Sequence, residues 1–66
     1  MKHERWTVGF YRHTRWVDQE FGEWYTVERM QERDSRFGAA MCAGSGRSVA
    51  KAEKRCLEAE RRLGVR

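Results

Sequence analysis

Few side chains in this sequence could do covalent chemistry. Ser35, Ser45, Ser48, Cys42 and Cys56 are the candidate nucleophiles, and His3 and His13 are the candidate bases. A nucleophile needs a base within hydrogen-bond reach, and no recognisable triad or nucleophile motif surrounds any of these residues. Gly44-Ser45-Gly46-Arg47-Ser48 leads into a helical pattern, whose first free amides can hold a phosphate. A nucleotide-binding loop would also need a glycine where Met41 stands and a lysine where Arg47 stands. The tract therefore reads as a strand-to-helix turn. His3, His13, Cys42 and Cys56 offer zinc-ligand chemistry, but none comes as the close pair that structural zinc sites use. No metal or cofactor is expected, and both cysteines read as small, reduced core residues. Asp18, Glu20 and Glu23 cluster near a turn, yet paired-carboxylate catalysis needs a cleft that so short a chain can hardly enclose. No catalytic residue is assigned, and the chain reads as non-enzymatic.

Charge is more informative. From Met1 to Gly46, seven Lys/Arg balance seven Asp/Glu; from Arg47 to Arg66, seven basic residues face three acidic ones and carry the whole formal charge of +4. A phosphate backbone or an acidic protein surface is the natural counterpart of such a segment. Arg47, Lys51, Lys54, Arg55 and Arg62 form the candidate partner-binding face, with Trp16 and Trp24 as aromatic anchors. Lys54, Glu58 and Arg62 are spaced four apart, so part of this face also reads as a solvated ladder of ion pairs.

These residues need elements to position them. The 66 residues make one domain, 1–66, near the size at which a single core barely offsets chain entropy. Arg5–Arg12 alternates as a strand with Trp6, Val8 and Phe10 on one face, and Glu23–Met30 as another with Tyr25 and Val27 toward the core. Between them, Arg15, Trp16 and Val17 either extend the first strand or form a short one, and Gln19–Gly22 is a turn. Glu32–Ser35 is a hairpin loop, after which Arg36–Ala43 forms the next strand with Phe37, Ala39 and Met41 on one face. Ala43–Gly46 then breaks the chain before a helix with Ser45 or Ser48 as N-cap. Val49, Ala52, Cys56, Ala59 and Leu63 form its apolar stripe, and Gly64 is its left-handed cap. The expected fold is α+β: a small antiparallel sheet of two to three strands with one C-terminal helix packed across it, in the order β-β-β-α. No apolar run is long enough to span a bilayer, and Lys2–Arg5 leads into a strand pattern rather than a signal peptide. A soluble cytoplasmic protein is expected, with a homodimer as one way to enlarge the core.

Trp24–Leu63 resembles the second half of double-stranded RNA-binding domains: a hairpin, a strand ending in Ala43-Gly44-Ser45-Gly46-Arg47-Ser48, then a helix with Ala52, Glu53, Cys56 and Ala59. That resemblance implies phosphate contacts from the early part of the helix, here from Arg47, Lys51, Lys54 and Arg55, with Val49 and Ala50 at the positions of the family's paired lysines. A second resemblance is to small phage-encoded inhibitors, particularly anti-CRISPR proteins. It rests on Gly22–Arg29 as a strand followed by an Ala-Gly-Ser turn and the alanine-rich stretch to Ala59. It implies a stand-alone protein that performs no chemistry and blocks a nucleoprotein machine by occupying a surface.

Two readings follow. In the first, the chain is an inhibitor or adaptor that docks on a protein or nucleoprotein complex through the basic helix face and exposed aromatics. In the second, it contacts nucleic-acid phosphates directly with the helix. On either reading the thiols are dispensable for binding. The double variant Cys42→Ala/Cys56→Ala is expected to keep its partner affinity with a modest loss of thermal stability, and stoichiometric zinc in tag-free protein would overturn that expectation.

Overall fold

Glycine decides where the first strand stops. The computed structural model describes residues 1–64, which leaves Arg66 of the basic segment outside the described residues. In it β1 runs Lys2–Val8 and β2 runs Tyr11–Asp18. They are joined by Gly9 and Phe10, with Val8 opposite Tyr11 across the turn. Gly9 has φ 59°, the glycine-first arrangement favoured in two-residue hairpin loops because it matches the twist of the flanking strands. Arg5–Arg12 is therefore not one strand but the tip of a hairpin, and Phe10 lies in the turn rather than on a strand face.

Asp18 makes the second turn. Its Oδ2 accepts from the backbone N–H groups of Glu20 (3.2 Å) and Phe21 (2.9 Å), an aspartate mimicking a backbone turn, and β3 follows at Gly22–Arg29. The turn expected over Gln19–Gly22 is present, and Arg15–Val17 belongs to a full strand of its own.

Residues 30–41 form a long connection where a strand was expected at Arg36–Ala43. It is tied down at both ends and in the middle. Met30 N–H donates to Phe10 O (2.8 Å), Asp34 N–H to Gly9 O (2.7 Å) and Met41 N–H to Arg29 O (2.8 Å). Arg36 O accepts from the Arg12 guanidinium at 3.1 Å. Alternation at Phe37, Ala39 and Met41 does not make a strand; the place beside β3 is taken instead by β4, Cys42–Gly46. Phe37 and Met41 remain exposed.

The sheet thus has four strands, all antiparallel, in the order β1-β2-β3-β4. The α+β class and the C-terminal helix are as expected; the count of two to three strands is corrected to four, giving β-β-β-β-α. Helix α1, Val49–Leu63, starts at Ser48, whose hydroxyl accepts from Lys51 N–H, and ends at Gly64 with φ 74°, so both caps match the sequence expectation. It packs on β4 and β3, not across the whole sheet.

The glycine-rich tract explains that placement. On β4, alternation and register put Cys42, Gly44 and Gly46 on the face that carries Tyr25, Val27 and Arg29. A Cβ on Gly44 would stand 2.6 Å from Ala52 O and closer still to Cys56 N, and one on Gly46 would meet the Lys51 Cβ at 2.8 Å. What reads as a break in the sequence is a strand stripped of side chains so that the helix backbone can sit directly on it. Under this contact Val27, Ala52 and Cys56 form the core, with Tyr11, Tyr25 and Cys42 packed around them. Val49 and Ala59 are half-buried and Leu63 is exposed, so the helical stripe is apolar over its whole length but covered only in its middle.

Beyond the helix edge, the same face carries Trp6 stacked on His13, ring centroids 5.2 Å apart and planes within 11°. Trp6 remains 37% exposed and Val8 60%, so the face they share on β1 is not core. His13 is buried between Trp6 and the Val27 row, and its Nδ1 has no hydrogen-bond partner.

Glu60, which continues the Ala52–Cys56 line by one turn, is buried with Arg29 as its partner. Its carboxylate accepts from the Tyr11 hydroxyl (2.6 Å) and from Arg29 Nε (3.1 Å), while Arg29 also donates to Met30 O and lies 4.2 Å from the centre of the Phe10 ring. Pairing satisfies both buried ions, and a lone survivor of either would be costly.

Two predictions follow from this packing. Gly44→Ala is expected to destabilise the domain by about 3 kcal/mol or to prevent folding, since backbone atoms cannot rotate away as a side chain could; urea denaturation measures it. The hydrogen bond to Glu60, followed by burial, raises the Tyr11 hydroxyl from 10.0 to about 12. A raised folded-state value means stability that is present below pH 10.0 and lost as pH climbs toward about 12. Burial pushes the Cys56 thiol to about 12 as well, with the same sign. Thermal melts through this window are expected to fall steeply for the wild type and less steeply for Tyr11→Phe.

Candidate functional site

The face of the sheet away from the helix is built in rows set by register. One row runs His3–Trp16–Trp24 across β1, β2 and β3, and the β3–β4 register carries it on to the level of Arg47, just beyond the end of β4. The rings stack along this row. His3 and Trp16 lie 5.3 Å apart and tilted by 37°; Trp16 and Trp24 lie 6.2 Å apart with planes within 12°. Trp16 Nε1–H donates to Thr26 Oγ1 at 3.0 Å, which fixes the middle ring. Cross-strand aromatic pairs of this kind stabilise a sheet as well as shape its surface.

Further along the same face, Arg12 donates to both carboxylate oxygens of Glu28, at 2.8 and 2.9 Å. The paired carboxylate holds the guanidinium above its ordinary range. That end of the face is covered by the connection 30–41 through Arg36 O. The aromatic end is not.

Beside Trp24 the row opens into a groove of about 510 Å³ lined by Phe21, Trp24, Ser45, Gly46, Arg47, Lys51 and Arg55. Each wall has a local cause. Phe21 is 67% exposed, projecting from the turn that Asp18 closes. Arg47 precedes the N-cap and donates through one terminal nitrogen to Phe21 O (2.9 Å) and Glu23 O (2.8 Å), tying the helix entrance to the β2–β3 turn. Arg55 donates to Ser45 O at 2.7 Å and so leans over the open edge of β4. Lys51 lies between them, one helical turn from Arg55, and its ammonium has no ion-pair partner among the described residues.

Four of the seven residues expected to bind a partner, Trp24, Arg47, Lys51 and Arg55, therefore meet in one groove, and Trp16 stacks behind Trp24. Lys54 and Arg62 do not join them. Lys54 is about 100° around the helix from Arg55, and Arg62 is about 16 Å along the axis from Lys51. Lys54 lines a neighbouring depression that shares Lys51 and Arg55 with the groove and adds Glu58, and Arg62 lines another with Glu58 and Arg61. Among the described residues no ion pair links Lys54, Glu58 and Arg62. The sequence reading missed Phe21 as a site residue and His3 as part of the stack. Phe21 did leave a signal, a large apolar side chain in an otherwise polar turn, whereas His3 joins the row only through register.

The acidic cluster is dispersed by the fold. Asp18 closes the turn, and Glu23, on the opposite face, accepts from Arg15 and from the Tyr25 hydroxyl, with the Arg15 contact the larger cause of its lowered carboxyl range. Ser35 Oγ donates to Phe37 O, and Ser48 is the helix cap. Cys42 Sγ contacts Cys56 O at 4.0 Å and both thiols are free. Among the described residues no group of His, Cys, Asp and Glu side chains gathers as metal ligands, and no helix is long and apolar enough to cross a membrane. The groove offers an exposed aromatic surface and three cations, with no carboxylate in its lining. No family model, curated protein or solved structure matches the chain.

Proposed function

We propose that this protein is a non-enzymatic docking domain that seats the phosphate-bearing part of a nucleoprotein complex in the groove formed by Phe21, Trp24, Arg47, Lys51 and Arg55. One observation carries the reading: register and helix packing bring a tryptophan and three cations of the basic C-terminal segment to a single concave place. Cations that converge on a groove focus their field on one anion, which scattered surface charges do not do.

The size of the cationic cluster argues for a composite target. Three positive side chains can neutralise about three phosphates, too few for tight binding to bare nucleic acid at physiological salt. Additional contact must then come from a protein component, for which Trp6 and Val8 on the helix side are exposed. A stand-alone inhibitor of the anti-CRISPR type, which occupies the surface of a nucleoprotein machine, is the form of this reading that the Gly22–Arg29 and Ala43–Ala59 resemblance supports. Autonomous nucleic-acid binding is the alternative, and it is favoured by the aromatic row, in which Trp16 and Trp24 are half-buried rather than fully exposed.

Charge reversal separates groove from helix face. Lys51→Glu is expected to weaken binding to the nucleoprotein target at least tenfold while leaving the melting temperature near wild type, because its ammonium supports no contact in the fold. Lys54→Glu/Arg62→Glu is expected to cost little beyond screened long-range attraction. Gel shifts with and without the protein component, at two salt concentrations, decide between composite and bare targets. Equal losses from both variants would place the interface on the whole helix face instead.

A further inference from the structure

We infer that the groove holds an unpaired nucleobase stacked on the free flank of Trp24, so that the nucleic acid this protein contacts is single-stranded. The inference rests on the docking reading above and specifies its ligand.

The aromatic row supplies the first argument. His3, Trp16 and Trp24 lie side by side across three strands, and Trp24 is the last ring of the row. Trp16 stacks against one side of Trp24, and Trp24 also lines the groove. The next position in the row is that of Arg47, whose guanidinium is turned to Phe21 O and Glu23 O. A planar ring entering the groove beside Trp24 would extend the stack. Every nucleobase has such a π-face, and stacking on tryptophan is tolerant of base identity.

The cations supply the second. Arg47, Lys51 and Arg55 line the same groove from the helix side, so a base seated against Trp24 would carry its sugar and phosphate toward them. Arg47 and Arg55 each use one terminal nitrogen on backbone carbonyls, which fixes their position while their remaining guanidinium N–H groups stay available to an anion. Ser45 also lines the groove.

The third argument is steric. Bases of a duplex are stacked and paired inside the helix and present only their edges. Trp24 is half-buried and lines the groove together with the exposed Phe21 and the helix-borne cations. A ring face there is matched by the face of an unpaired base, which a duplex does not offer. A volume of about 510 Å³ lies within the usual range for small-ligand sites, suited to one splayed nucleotide rather than to a groove-spanning duplex.

The test uses the intact protein with an oligothymidylate and a duplex of equal length, at low salt. The single strand is expected to bind at least tenfold more tightly than the duplex and to quench tryptophan emission. Its affinity should fall with log salt at a slope of about 2, as three phosphate contacts to a single strand require. Trp24→Ala is expected to lose about tenfold or more in affinity, and Trp24→Phe to restore much of it. Should Trp24→Ala fail to fold, the Phe variant and the wild-type quenching carry the test. Equal affinity for both oligonucleotides with no quenching would overturn the single-strand inference while leaving the phosphate groove intact. No oligonucleotide binding, together with Lys51-dependent binding to a protein complex, would also overturn it. Unaltered binding of every partner by Lys51→Glu would remove the docking reading itself.

Discussion

The backbone of α1 rests on the backbone of β4, and most of the molecule is arranged around that contact. Two glycines two residues apart leave the inner face of the strand bare at the point where Ala52 and Cys56 present the smallest part of the helical stripe. Close approach gives dispersion contact along both chains without large side chains. That is how a domain whose buried apolar residues, among those described, are only Val27, Met30, Ala52 and Cys56 holds its helix in one place. It also determines the site. With the helix seated over β4, its first turns lie beside the sheet edge, and Lys51 and Arg55 are carried to the flank of Trp24.

The polar contacts reinforce the same placement at both ends of the helix. Arg47 and Arg55 bind carbonyls of the β2–β3 turn and of β4 near the N-terminus, and Glu60 joins Arg29 and Tyr11 near the C-terminus. The buried carboxylate does little for net stability compared with an apolar residue of like size, but it admits only one rotation of the helix about its axis. Apolar contact sets how close the helix comes; the ion pair sets which side faces down.

Much of the fold was legible in the sequence because local chemistry announces itself. Ser48, Gly64, the Ala52–Cys56 spacing and the turn near Asp18 each follow from a residue doing what its side chain or backbone favours. The core faces of Tyr25 and Val27 follow from alternation. The errors arose where long-range pairing overrides local pattern. Arg5–Arg12 alternates well enough to pass for a strand, and only the glycine at its centre marks the turn. Ala43–Gly46 looks like a linker because the reason for its glycines, a helix backbone packed against them, lies later in the chain. In the site, the helical cations and Trp24 were legible as candidates, whereas the division of the basic face into groove and periphery depends on where the helix lands on the sheet.

The glycine seat has a consequence for how this protein can change. A helix packed through side chains can be tilted by exchanging one residue for a larger or smaller one, so its outward face drifts as its core drifts. Here Gly44 and Gly46 on the inner face of β4 have no side chain to exchange, and an addition at either crowds the helix. The helix is therefore held close at these two positions, whereas the ammonium groups of Lys51 and Lys54 make no ion pair among the described residues. Scaffold and recognition are separate in this chain, and descendants of it can acquire new targets by altering the helix surface alone while the spacing between helix and aromatic row stays constant.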